Sequence, residues 1–385
     1  MKASGKNLEI EALRGVAILI TIAAHLRLLF PWSPGWFEAF ATHFALGVGV
    51  DLFFCISGYV IARSTMQSLA RRGREGFKSV AYPFWIRRMW RLWPSAFLWI
   101  AIYVFLAFFF NSSGAFGPAA NTAQTSIAAA LQVANLYFPI CAGAGNCGAN
   151  AVYWSLSLEE QFYFLFPFLV FFLPRKKLLL VFAALIVAQL LTPRPTASLL
   201  WSIRTDAIAF GILISMLTSV EAKLPKEGVL SSAWVRWTIF AALIYALTRT
   251  QIIFPSIAPG VTAMVSAALV LIASKSRDLL VPSGRVRSLM VYLGGRSYAI
   301  YLIHEAAFFG TREIWYRFYP NDEIDAGLTV PFAIIASVII LAAAEINYRL
   351  VENPLRKIGR RIADQYTSPR QRDNAVGSLE SSELT

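Results

Sequence analysis

Charge is what this chain of 385 residues has little of: Asp, Glu, Lys and Arg make up 15% of it, where a soluble domain carries about a quarter. Hydrophobic residues make up 57% and the mean hydropathy is +0.56. Apolar runs recur along the whole length, and several reach the ~20 residues that span a bilayer core. Together these exclude an ordinary soluble fold. Cysteine is also scarce, at three residues, which excludes a disulfide scaffold. Cys55 reads as core. Cys141 and Cys147 share one loop and either pair in an oxidising compartment or stay as free thiols. No internal repeat, nucleotide-binding glycine loop or metal-ligand cluster stands out, so no metal and no permanently bound cofactor is expected. Residues 112–151 contain no Lys, Arg, Asp or Glu at all, a composition suited to a flexible connector or to contact with a neutral sugar.

What is present reads as an all-α, polytopic membrane bundle. Ten spans are expected, at 9–30, 44–64, 92–111, 157–173, 178–192, 199–218, 233–249, 257–274, 289–309 and 328–349. Pro193 and Pro195 separate short runs around the fifth and sixth. Lys and Arg crowd alternate loops: Arg71, Arg72, Arg74 and Lys78 after the second span, Arg175, Lys176 and Lys177 after the fourth, and Arg356, Lys357, Arg360 and Arg361 after the last. By the positive-inside rule both termini are cytoplasmic. The net charge of +13 then reflects topology and contact with anionic lipid headgroups, and nucleic acid is not an expected partner. A basic N-terminus precedes an apolar run, but Arg14 interrupts it and no small-residue cleavage site follows, so an uncleaved first span is expected. The membrane domain is placed at 1–361. The polar, aperiodic residues 362–385 are expected to form a disordered cytoplasmic tail.

Ionisable residues inside a membrane are costly and are candidates for function. Arg14 and His25 lie in the first span, eleven residues apart. At ~100° per residue they share one helix face, and at ~1.5 Å rise they sit roughly 16 Å apart. Towards the cytoplasmic side lies a second cluster in Phe84–Pro94, where Arg87, Arg88 and Arg91 alternate with Trp85, Trp90 and Trp93. Arginine recognises phosphate through its planar fork of donors, although positive-inside anchoring alone explains many cytoplasmic arginines. Glu345 and Arg349 are spaced to pair at the inner end of the last span.

Eight ionisable groups fall near the outer side: His25, Asp51, Glu159, Glu160, Arg204, Asp206, His304 and Glu305. Most should face one another around a polar cavity. His25 can exchange a proton near neutral pH, with Asp51, Glu159 or Asp206 as partner. His304 is as well explained by packing as by function. Glu159 could hydrogen-bond across the bundle below a helix capped by Ser155, and Glu160 points about 100° away from it.

Taken together these segments resemble acyltransferase family 3, a family of integral-membrane acyltransferases, over nearly the whole chain up to about Arg361. The run Glu11–Arg14–Gly15 through His25 is similar to the family's first-helix signature, and Gly47–Asp51–Phe54–Ser57–Tyr59 to its second. Phe84–Pro94, Trp154–Tyr163, Arg204–Gly211, Ser297–His304 and Glu345–Pro354 resemble later blocks. The resemblance implies a bacterial inner-membrane, multi-pass enzyme. It implies transfer of an acyl group, usually acetyl, from cytosolic acyl-CoA to a hydroxyl of an extracytoplasmic glycan or glycolipid such as lipopolysaccharide or exopolysaccharide. It also implies that Arg14 and His25 are essential, and it admits glycan-biosynthesis proteins as partners. Some members append a soluble SGNH-type domain. None is read in this chain, which argues against a relay through a fused hydrolase.

The resulting expectation is specific. The donor's nucleotide and phosphates bind Arg87, Arg88 and Arg91, and the pantetheine arm passes Arg14. His25 acts as general base on the acceptor, supported by Glu159 or Asp51. Arg204, Asp206 and His304 bind substrate, with Arg204 a candidate cation for a succinyl group. The rival expectation is a proton-coupled transporter, because intramembrane His, Asp and Glu also build proton relays, although transporter repeats are not evident.

Overall fold

A computed structural model of the chain describes residues 7–72, 76–218, 232–275, 280–281 and 283–366. Among the described residues every regular element is helical. The N-terminal half holds α1 (Leu8–Ala24), α2 (Leu26–Leu29), α3 (Gly35–His43), α4 (Gly49–Arg72), α5 (Phe77–Phe109), α6 (Ala119–Ala130), α7 (Ala134–Gly143) and α8 (Tyr153–Phe172). The C-terminal half holds α9 (Arg175–Leu190), α10 (Leu199–Ser202), α11 (Asp206–Leu217), α12 (Ala233–Ile253) and α13 (Ala258–Ser274). It ends with α14 (Arg285–Phe318), α15 (Thr329–Asn347) and α16 (Asn353–Gln365).

Each of the ten expected segments contains a helix, but the ends move where side chains or prolines compete with the backbone. The first stops at Ala24, not at residue 30. There the His25 backbone leaves helical geometry as the C-cap (φ −101, ψ 6), and its ring Nδ1 hydrogen-bonds the Thr21 carbonyl at 2.8 Å. The sixth is broken: α10 ends at Ser202 and α11 starts at Asp206, with Arg204 buried in the gap. The third is far longer than expected. The basic, Trp-rich stretch read as a loop is helical, and α5 runs through it from Phe77, carrying Pro83 and Pro94 inside. By length and composition four helical stretches could cross a membrane: Leu46–Leu69, Phe77–Phe109, Leu199–Leu217 and Ala326–Gln365. Others, such as α14 with Arg296, His304, Glu305, Arg312 and Glu313, are long but less apolar. The boundary drawn after Arg361 falls inside α16, which continues to Gln365. The tail expected beyond it lies, from 367 on, outside the described residues.

Small residues set the closest helix crossings, as packing between apolar helices requires. On α1 a Cβ at Gly15 would stand 2.1 Å from the Met290 carbonyl oxygen, and on α14 a Cβ at Gly294 would stand 1.9 Å from that of Glu11. The crossing of α4 and α11 is reciprocal in the same way, with Gly58 against Ile208 and Gly211 against Cys55. These two contacts bring α1, α4, α11 and α14 together around the polar residues.

The charge-free segment 112–151 is a folded cap, not a loose connector. Thr125 and Thr122 of α6 accept the backbone N–H of Gly148 and Ala149, both at 3.0 Å. Asn135 of α7 donates to Gln161 of α8 at 3.1 Å, and Cys141 is disulfide-bonded to Cys147. Cys55 is buried core. At the opposite end α16 lies along α5, with Gly359 pressed on Trp90. Glu345 pairs with both Arg349 and Arg296.

Candidate functional site

The polar residues line two chambers, here named inner (the end rich in arginine) and outer. The inner chamber has a volume of about 720 Å³. Arg14 of α1, Arg88 and Arg91 of α5, Ser57 of α4, Glu159 and Tyr163 of α8, and Ser297, Tyr298 and Tyr301 of α14 face it. Arg88 lies over the rings of Tyr163 and Phe84, at 5.2 and 5.8 Å to the centroids, and no carboxylate comes within ion-pair distance of it among the described residues. The Nε of Arg91 and the Oγ of Ser297 are buried without a hydrogen-bond partner. Arg14 pairs with Glu11 at 3.8 Å, and the chamber, lined by three arginines and one carboxylate, holds unspent donors, the chemistry that recognises phosphate and other anions. Arg87, expected in the same role, lines neither chamber.

The outer chamber has a volume of about 1110 Å³. Thr21 of α1, His25 at its C-cap, Gly47, Val50 of α4, Glu305 of α14 and an aromatic wall of Phe138, Trp154 and Trp201 line it. Trp154 and Trp201 stack with centroids 4.4 Å apart. Val50 and Tyr301 face both chambers, so they form the partition between them. The Tyr301 hydroxyl is held there by Ser155 Oγ at 2.7 Å and the Val152 carbonyl at 3.0 Å.

The tautomer of His25 follows from its partners. A carbonyl can only accept, so the Nδ1 that meets Thr21 O at 2.8 Å carries the proton. Nε2 is then the basic nitrogen. By the same argument His304 donates Nδ1–H to the Tyr301 carbonyl at 2.8 Å, and its free Nε2 faces His25 Nδ1 at 3.3 Å. The carboxylate beside His25 Nε2 is Glu305, whose Oε1 stands 3.7 Å away.

Several expected roles are thereby corrected. Asp51 does not reach His25: both its oxygens are taken by Arg204, at 2.8 and 3.3 Å. Glu159 faces the inner chamber, where it accepts the Tyr163 hydroxyl one helical turn away. Ser155 does not cap α8; it lies within the first turn and bonds Tyr301. Glu160 accepts from Trp93 Nε1 at 3.1 Å. Arg204 and Asp206 are not free to bind substrate. Arg204 is 2% exposed and lies over the rings of both Trp201 and Trp154, with centroids at 3.9 and 4.7 Å. Asp206 is fully buried and holds Arg194 at 2.5 Å. His304 is fully buried beneath His25 and contacts the ring, not the chamber. A buried pair of this kind costs about 3–5 kcal/mol when one partner is lost, so these groups secure the junction of α4, α9, α10 and α11.

Sequence reasoning missed Arg194, Tyr163, Tyr301 and Glu352, and it grouped Glu305 with the outer residues without giving it a role. Glu352 is 2% exposed and sits in a single π-turn, Tyr348–Glu352, with the charges of Arg91 and Arg14 as its neighbours. The signal for Glu305 was its place next to His304 in an otherwise apolar run. Nor did sequence spacing show that His25, His304 and Glu305 place one ligand-type atom each within 4.8 Å of one another. That arrangement also fits a metal ion, because each imidazole donates its Nδ1–H to a carbonyl as metal-bound histidines do.

The fold and the paired chambers define a helical membrane-type bundle with a basic pocket at one end and an imidazole–carboxylate site at the other. The chain belongs to acyltransferase family 3: the family model described as "Acyltransferase domain" matches residues 7–345. It is similar to the peptidoglycan O-acetyltransferase OatA of Listeria monocytogenes, 26% identical, with 91% of this chain and 56% of the relative covered. It is also similar to the O-acetyltransferase OatA of Staphylococcus aureus, 25% identical, with 91% of this chain and 57% of the relative covered. The chain thus spans a little over half the length of these curated relatives. No solved structure matches it.

Proposed function

We propose that this protein is an integral-membrane O-acyltransferase that crosses the bacterial inner membrane ten times with both termini cytoplasmic. It moves an acyl group, most simply acetyl, from cytosolic acyl-CoA to a hydroxyl of an extracytoplasmic glycan. The observation that carries this reading is the meeting of the two chambers at Val50 and Tyr301. Arg14, Arg88 and Arg91 supply donors for the phosphates of the acyl-CoA, and the acyl-bearing arm extends past Arg14 to the partition. The acceptor hydroxyl enters the outer chamber against Phe138, Trp154 and Trp201. His25 Nε2 takes its proton, the oxygen attacks the thioester carbonyl carbon, and the carbon–sulfur bond breaks as Nε2–H returns that proton to the leaving sulfur, releasing the ester and the free thiol of CoA. The names of the relatives support a glycan acceptor of the peptidoglycan class. A proton-coupled transporter gains no support from the family.

The test is transfer of labelled acetyl from acetyl-CoA to envelope glycans in membranes carrying the protein, beside His25→Ala at equal abundance. Label on glycan that disappears in the variant is expected. Full transfer by His25→Ala overturns the mechanism.

A further inference from the structure

When Nε2 takes the acceptor's proton, His25 becomes a cation in a chamber walled by aromatic rings. Neither carboxylate expected to answer that charge can do so, because Asp51 is held by Arg204 and Glu159 faces the other chamber. Glu305 can. It is 4% exposed, its Oε1 is 3.7 Å from His25 Nε2, and among the described residues no Lys or Arg lies within ion-pair distance of it. The bundle's deeply buried structural carboxylates Asp51 and Asp206 each hold an arginine, whereas a buried carboxylate lacking a cation is costly to keep.

We propose that Glu305 is the positioning residue that supplies the counter-charge for the His25 imidazolium during acyl transfer. This rests on the acyltransferase reading. The arrangement differs from a Ser–His–Asp triad, where the carboxylate orients the ring from Nδ1. Here Nδ1 is occupied by Thr21 O and faces His304 Nε2, and the carboxylate faces the nitrogen that works on substrate. A separation of 3.7 Å is too long for a direct hydrogen bond, yet short enough for the charges to interact and for one oxygen to touch both atoms. The acceptor hydroxyl therefore binds at the edge shared by Nε2 and Glu305. With Glu305 ionised, the neutral–anionic pair becomes a cation–anion pair as the proton moves to Nε2, and the gain appears in the transition state and not in the ground state.

The experiment compares Glu305→Gln, Glu305→Asp and His25→Ala in the full chain in membranes, reading kcat and donor KM separately. Glu305→Gln keeps the shape and loses the charge. Its kcat should fall about 10²-fold with donor KM unchanged, and Glu305→Asp should recover most of that loss. A wild-type kcat in Glu305→Gln beside an inactive His25→Ala overturns this proposal alone, and activity in His25→Ala overturns the acyltransferase mechanism itself. Equal losses in Gln and Asp also overturn the proposal, because charge would not be what matters. If Glu305→Gln fails to accumulate, Glu305→Ser, which also removes the charge, decides: kcat lowered about 10²-fold at unchanged donor KM supports the role, and unchanged kcat refutes it. Activity abolished by a chelator and restored by Zn²⁺ would show instead that His25, His304 and Glu305 hold an ion.

Discussion

Arg204 and Arg88 both lie over aromatic rings inside the bundle, but they are finished differently. Arg204 is held by both oxygens of Asp51 and covered by two tryptophans in contact with each other. Arg88 rests on Tyr163 and Phe84, faces a chamber and, among the described residues, has no carboxylate within ion-pair distance. The same contrast separates the carboxylates: Asp51 and Asp206 hold arginines, whereas the ion-pair partner of Glu305 is an imidazole. Charges that are matched inside the protein hold helices together. Charges left unmatched beside open volume are the ones free to meet a ligand. The comparison yields an ordered set of consequences.

Removing His25 should cost most. Loss of a general base typically lowers the rate by 10²–10⁴, so His25→Ala should cut transfer about 10³-fold without changing abundance or melting temperature. Arg204→Ala should behave in the opposite way, lowering stability by about 3–5 kcal/mol, read as a drop in melting temperature and in folded yield. Joint replacement, Asp51→Leu with Arg204→Met, should recover much of it, since the penalty comes from the partner left charged and buried. If Arg204→Ala folds normally and only activity falls, the division between structural and functional arginines is wrong.

Gly294→Val should cost about 1–3 kcal/mol, because a Cβ there meets the Glu11 carbonyl at 1.9 Å. It should also reduce transfer per folded molecule, since it pushes α14, with His304 and Glu305, away from His25 on α1. Arg88→Gln should act more narrowly, raising donor KM about tenfold, near 1.4 kcal/mol, the low side of a hydrogen bond to a charged group, with little change in kcat. Smallest of all is Arg27→Ala. Arg27 and Glu38 form an exposed pair at the rim of the outer chamber, and its loss should change stability by less than about 1 kcal/mol.

The sequence carried the membrane-like helical character and the Arg14–His25 stripe, because hydropathy and helical periodicity are local properties. The stripe survives as one group in each chamber even though α1 ends at Ala24. The partnerships were not legible. His25 and His304 are 279 positions apart, and Asp51 and Arg204 are 153 apart. Four acidic groups near one imidazole gave no local reason to prefer Glu305 over Asp51, Glu159 or Asp206. The choice is made by which helices cross, and that depends on Gly15, Gly58, Gly211 and Gly294 permitting backbone contact. The basic cluster falls mostly outside the expected third span because its arginines and two prolines mask a helical repeat that the neighbouring α8 and α16 stabilise. The folded state of 112–151 was hidden for a related reason: its order comes from amide and hydroxyl bonds to its own chain and to α8, which uncharged composition does not announce.

The central claim is that donor and acceptor reach one imidazole from opposite ends of the bundle. The most direct test is sidedness in sealed proteoliposomes of known orientation, with labelled acetyl-CoA and a soluble glycan acceptor placed on the same or opposite faces. The account predicts labelled glycan only when acetyl-CoA is on the Arg88 face and the glycan on the His25 face, and none with His25→Ala. Labelling with both reactants on one face, or with the two faces exchanged, would contradict it.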